Sequence, residues 1–163
     1  MRDTGTGDKY SDIIANYIAR RFAAENLKVY REVSIGKTTL GKSRRIDVLV
    51  ISNDGSKALA IECKYQGVSG TVEEKIPYAL EDAMAVRFPC IIVYGGDGFS
   101  KGVRHRLDAS PHAVYCKPSK YQVAPDTNTK ELDQAIAVAF GWWSHLVRGM
   151  ERVDNGDLFH GGK

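Results

Sequence analysis

The chain has 163 residues, 43% hydrophobic and 26% charged, with a formal net charge of +3. These proportions suit one globular domain with a substantial core, expected over residues 1–153 with a Gly-rich, polar tail at 154–163. No apolar run approaches the roughly 20 residues that span a bilayer, and the N-terminus lacks the apolar region of a signal peptide. Three cysteines at 63, 90 and 116 offer neither a disulfide framework nor zinc-ligand spacing, so a reducing, cytoplasmic setting is expected. The mildly basic balance permits a nucleic-acid partner without requiring one.

Residues 9–25 carry apolar side chains at 10, 14, 17, 18 and 22, a one-sided stripe that predicts a helix. Residues 27–35 alternate as a strand. Two more strand-like runs follow at 44–52 (RRIDVLVIS) and 57–66 (KALAIECKYQ), joined by Asn53-Asp54-Gly55-Ser56, a strong hairpin signal. Residues 67–70 break the pattern, and Thr71 with Glu74 has capping-box spacing for a second helix reaching Phe88. Pro77 belongs in the first turn of that helix, and Glu73-Glu74-Lys75 reads as its solvated start. Pro89 stops it. Residues 90–94 (CIIVY) form a continuous apolar run of the buried-strand type, 100–108 a short basic helix, and 112–116 another short strand. Residues 117–128 are irregular. The last helix is expected over 129–150, with Leu132, Ile136, Ala139, Phe140, Trp143 and Val147 on one side. The order α-β-β-β-α-β, followed by further α and β elements, predicts an α/β (α+β) fold with a mixed sheet flanked by helices.

The hairpin carries the chemistry. With Asp54 and Gly55 as central turn residues, the register places Asp47 directly opposite Glu62, their Cβ atoms roughly 4.5–5.5 Å apart. Alternation puts Lys64 on the same face one step beyond, and Gln66 one step further. Facing carboxylates repel each other, and charges inside an otherwise apolar strand are rare unless paired or coordinating. A divalent cation between Asp47 and Glu62 removes the repulsion. Mg²⁺ prefers one or two carboxylates and keeps several waters, so such a pair suits it, or Mn²⁺.

An Asp on the second strand and Glu62-Cys63-Lys64 on the third, in this order of elements, resembles the PD-(D/E)xK, or restriction-endonuclease-like, nuclease superfamily. The resemblance covers about residues 9–94. It implies a divalent-metal-dependent endonuclease that hydrolyses DNA, of restriction, homing or phage type, with a Holliday-junction-type resolvase as the alternative within the same fold. It further implies Asp47, Glu62 and the Cys63 carbonyl as metal ligands, Lys64 as an aid to the attacking water, Gln66 as a positioning group, and a homodimer or larger assembly on DNA. Two departures stand out. Ile46 replaces the proline often found before the aspartate, and Ser11 occupies the place of a first-helix glutamate, with Asp12 one step off.

Residues 36–43 match the pattern GxxxxGK[ST]. A nucleotide-binding P-loop needs a helix directly after it, whereas residues 44–51 read as a strand; a P-loop protein is therefore the alternative of a different class. The same loop carries Lys37, Lys42, Arg44 and Arg45, a basic cluster expected to contact DNA phosphates, with glycines that let backbone amides approach them. Lys101, Arg104, His105 and Arg106 form a second basic group.

Overall fold

A computed structural model describes residues 5–154, so all of the expected tail but Asp154 lies outside the described residues. Helix α1 (Gly5–Arg21) is followed by strands β1 (Lys28–Lys37), β2 (Ser43–Ile51) and β3 (Ala58–Tyr65). Helix α2 (Ile76–Ala85), strand β4 (Cys90–Gly95), helix α3 (Lys101–Asp108), strand β5 (Ala113–Tyr115) and helices α4 (Lys130–Phe140) and α5 (Trp143–Val147) complete it. The five strands lie side by side in sequence order. β1, β2 and β3 run antiparallel, and β4 and β5 join in parallel, each after a helical crossover. The expected mixed sheet flanked by helices is the one observed.

The α1 stripe works as its spacing demands. Tyr10, Ile14, Tyr17, Ile18 and Phe22 are buried against Val48, Val50, Leu59 and Ile61 of the sheet and Leu132, Ile136 and Phe140 of α4. Ala79 and Ala83 of α2 cover the opposite face, over Leu49, Ala60, Cys90 and Ile92. α3 closes that side through Leu107 beside Tyr94 and Ile76. All three cysteines are free and buried.

Several local expectations are corrected. The β2–β3 turn is longer than two residues: the Ser52 amide donates to Lys57 O (2.9 Å) and the Gly55 amide to Ser52 O (2.9 Å). Gly55 takes the left-handed conformation that closes this turn (φ 74°). Asp54 Oδ1 accepts from the Ser52 and Ser56 hydroxyls and the Ser56 amide. The loop stays centred between Asp54 and Gly55, so the pairing is the expected one, with Val48 opposite Ile61 and Ile51 opposite Ala58. Thr71 makes no side-chain cap; a 3-10 turn (Val72–Lys75) leads into α2 instead, with Pro77 in its first turn. α2 stops at Ala85 because Val86 is extended (ψ 139°), ahead of Phe88, whose helical conformation is disfavoured by the following proline.

The final helix is two helices. Gly141, left-handed at φ 73°, ends α4 in a Schellman arrangement: its amide donates to Val138 O and that of Trp142 to Ala137 O. The chain then turns so that Trp142, not Trp143, packs inward, on Phe140 and Phe22. Trp143 and Val147 are exposed.

Glycines let the loops after β3 and β4 pack together. A Cβ on Gly96, itself at φ 93°, would lie 2.3 Å from Gln66 O. Gly96→Ala is therefore expected to cost more than about 1 kcal/mol, whereas Gly102→Ala, in an open position on α3, raises stability by up to about 1 kcal/mol through helix propensity. Urea unfolding at constant slope measures both.

Candidate active site

β2 and β3 part just where the charged residues begin. The last paired residues are Val48 and Ile61. Beyond them the Cys63 amide, left without a strand partner, donates to Asp47 Oδ2 at 2.8 Å. A residue's N–H and C=O point to the same edge of a strand, so the Cys63 carbonyl faces this gap as well. Glu62 and Lys64 project to the α2 side, each about one-fifth exposed, with Lys64 Nζ 3.7 Å from Glu62 Oε2. Burial, and then the charge of Asp47, push the Glu62 carboxyl up to about 7; Lys64 opposes the shift and Asp82 adds to it. Asp47, Glu62, Cys63 and Lys64 are thus brought together.

The backbone is distorted at this point. Glu32 on β1, which regular pairing would set beside Asp47, has φ 54° and is missing from the ladder. The alternation of side chains reverses there. Val48 and Val29 pack on the α1 side, but Ile46 and Val33 on the α2 side. A non-glycine residue with positive φ is uncommon and signals a local constraint. Here the constraint coincides with the carboxylate pair.

A cleft opens beside the pair, walled by Thr38 from the β1–β2 hairpin, Arg44 and Arg45 from β2, Glu62 and Lys64 from β3, and Lys75, Tyr78, Ala79 and Asp82 from α2. The α2 contributors were missed in the sequence because they stand far from the hairpin in the chain. Their one local signal, Glu73-Glu74-Lys75, read as a solvated helix start.

The basic cluster divides. Lys37 and Lys42 are exposed on the hairpin, and Arg45, also exposed, lies 3.4 Å from Glu32. Arg44 differs in its setting: it does not stand on the exposed hairpin but is buried at the cleft, with its Nη2 donating to Asp82 Oδ1 at 2.7 Å. The loop amides are a correction. Those of Thr38, Thr39, Gly41 and Lys42 are all bonded within the chain, that of Thr39 to Asp82. Residues 36–43 turn between two antiparallel strands and no helix follows Ser43, so the P-loop alternative lacks its structural context.

Gln66 is buried, with Nε2 donating to Gly98 O (2.8 Å) and Oε1 accepting from the Glu73 amide (3.1 Å). It acts on the site by latching together the loops after β3 and β4. On α1, Arg31 donates to Ser11 Oγ (2.9 Å) and pairs with Asp12, which holds Asp12 against β1. On α3, Arg104 stacks over Tyr115 and pairs with Asp108.

Among the described residues no group of three or more His, Cys, Asp or Glu side chains could enclose a metal ion. Two carboxylates with a strand carbonyl still suit a hard cation that keeps most of its waters. A thiolate site is unsupported: burial and the neighbouring Asp47 charge push the Cys63 thiol well up. The upward shift of Glu62 has burial as its first cause and the nearby Asp47 charge as its second, as expected of two close carboxylates in a partly buried site.

A family model described as a PD-(D/E)XK nuclease superfamily domain matches residues 6–143. No curated protein matches the chain significantly. Among solved structures, a crystallised protein of unknown function is similar at TM-score 0.39 and 14% identity, over 60% of this chain and 53% of that one. A repair endonuclease from Pyrococcus abyssi is similar at TM-score 0.36 and 18% identity, over 66% and 45%. The chain spans about half the length of these structures.

Glu62 sets a pH dependence. Its folded carboxyl binds a proton up to about 7, against an ordinary value of 4.5, so the folded state holds the extra proton between these limits. Stability of the metal-free protein therefore falls as pH rises from about 4.5 to about 7. Thermal melts in EDTA should show this decline. Glu62→Gln should flatten it and stabilise the metal-free protein at pH 7.5 by about 1–3 kcal/mol; a flat wild-type profile would contradict the assignment.

Proposed function

Because this chain belongs to the PD-(D/E)XK nuclease superfamily, we propose that it is a divalent-metal-dependent endonuclease hydrolysing phosphodiester bonds in DNA. The observation that carries this reading is that Glu62 and Lys64 line a cleft with Arg44, Arg45 and Lys75, while Asp47 is held beside Glu62 by the Cys63 amide. Asp47, Glu62 and the Cys63 carbonyl are the ligands for Mg²⁺ or Mn²⁺. A bound ion would neutralise charge on the phosphate oxygens and lower the pKa of a bound water.

The residues divide the remaining work. The Cys63 amide fixes the Asp47 carboxylate through its Oδ2, which leaves Oδ1 to face a ligand. Lys64 Nζ, tethered near Glu62, holds the attacking water or a non-bridging phosphate oxygen as a point charge. In hydrolysis the water oxygen bonds to phosphorus and loses its proton, and the leaving ester oxygen departs and takes one up. Gln66 positions the surrounding loops rather than meeting the substrate itself. Exposed Lys37, Lys42 and Arg45 follow the DNA backbone, which supplies affinity without sequence information. Cutting both strands of a duplex calls for two such centres, so the assembly on DNA is a homodimer or larger.

Supercoiled plasmid incubated with Mg²⁺, Mn²⁺ or EDTA tests the reading. Cutting should occur only with metal, and Lys64→Ala should slow it by at least about 10²-fold while its thermal melt still shows a folded protein. Cleavage in EDTA, or a fully active Lys64→Ala variant, would refute the proposal.

A further inference from the structure

The cleft has a wall that hydrolysis at Asp47 and Glu62 leaves without a task. Arg44 is more than nine-tenths buried, and while its Nη2 pairs with Asp82, its enclosed Nε has no hydrogen-bond partner. A buried donor left unmatched is uncommon and calls for a physical reason. Lys75, just before α2, is exposed, lines the same cleft, and makes no hydrogen bond or ion pair among the described residues. Tyr78, in the first turn of α2, lines it as well, its hydroxyl likewise without a partner among those residues. On this wall Asp82 accepts from both Arg44 Nη2 and the Thr39 amide through its Oδ1, and the Arg44 guanidinium offsets its charge.

The cleft carries four cationic side chains, Arg44, Arg45, Lys64 and Lys75, against the two carboxylates of Glu62 and Asp82. On this wall the Lys75 ammonium and the Tyr78 hydroxyl stand without partners among the described residues, with the Arg44 guanidinium behind them. An anion with several oxygens suits that surplus of positive charge, and its interaction with Lys and Arg is charge-assisted. We propose that Arg44, Lys75 and Tyr78 form a phosphate subsite adjoining the Asp47–Glu62 centre, with Lys75 as a substrate-binding residue. The subsite rests on the nuclease reading and takes a phosphate of the substrate other than the one being cut. That phosphate is either the internal diester of the neighbouring nucleotide or a terminal phosphate monoester.

Binding without cleavage separates this inference from catalysis. Fluorescence anisotropy of a short duplex in EDTA, across a range of salt, gives the affinity and its salt slope. A single phosphate contact contributes about 0.9 to that slope. Lys75→Gln should lower the slope by about that much and weaken binding about eightfold at 0.1 M salt. Arg44→Lys, which keeps a cation for Asp82 and removes Nε, should weaken binding in the same direction, with thermal melts confirming that both variants fold. Duplexes with a 5′-phosphate or a 5′-hydroxyl distinguish the two occupants: a loss confined to the phosphorylated end marks a terminal phosphate, and an equal loss with both marks an internal one. Wild-type affinity and slope in folded Lys75→Gln would overturn the subsite alone. No duplex binding by the wild-type protein would overturn the nuclease reading with it.

Discussion

Two carboxylates brought close where β2 and β3 separate, Asp47 and Glu62, are the constraint around which this molecule is arranged. Like charges directly opposite on a sheet repel, and partial burial raises the cost of keeping both ionised. Glu62 registers that cost in its raised pKa. The surroundings relieve it only in part. The Cys63 amide donates to Asp47, and Lys64 stands 3.7 Å from Glu62. On the proposed reading a divalent cation would supply the remaining compensation, and the same arrangement that weakens the metal-free fold would become its binding site.

The rest of the fold serves to hold that arrangement. α1 and α4 bury one face of the sheet in a large apolar cluster, leaving the other face to α2 and the cleft. The reversal of alternation at Glu32 and Asp47 lets Ile46 and Val48, two positions apart on one strand, serve cores on opposite sides. Glycines at 96 and 98 allow the loop after β4 to lie against the backbone of Gln66 and Val68. Gln66 then bonds Gly98 and Glu73, fixing the approach to α2, where Lys75 just before the helix and Tyr78 in its first turn line the cleft. Stability and site geometry thus pass through the same few backbone contacts.

Much of this was legible in the sequence because it depends on local pattern. The stripe at 10, 14, 17, 18 and 22 and the apolar run at 90–94 announce their elements directly. The register of β2 on β3 survived a mistaken turn length, since a loop extended equally on both sides of Asp54-Gly55 keeps the same pairing, but the ladder ends at Val48 and Ile61, one step short of Asp47 and Glu62. What remained hidden depends on distant contacts. Arg44 reads as one more surface cation until Asp82, 38 positions away, draws it inside. Lys75 looks like a solvated residue because nothing nearby in the chain says that α2 leans over the strand that carries Glu62 and Lys64. Gln66 lies on the expected face, but two backbone partners from separate loops set its role. Gly141 was the overlooked local signal: a left-handed glycine after Phe140 ends the helix and turns Trp142 inward.

The central claim is that Asp47 and Glu62 together bind a divalent cation, and Mn²⁺ binding followed by electron paramagnetic resonance tests it most directly. The account predicts a saturable site in the wild-type protein that is lost in Asp47→Asn and in Glu62→Gln, each still folded by its thermal melt. Unchanged Mn²⁺ binding in both folded variants would place the ion elsewhere and contradict the account.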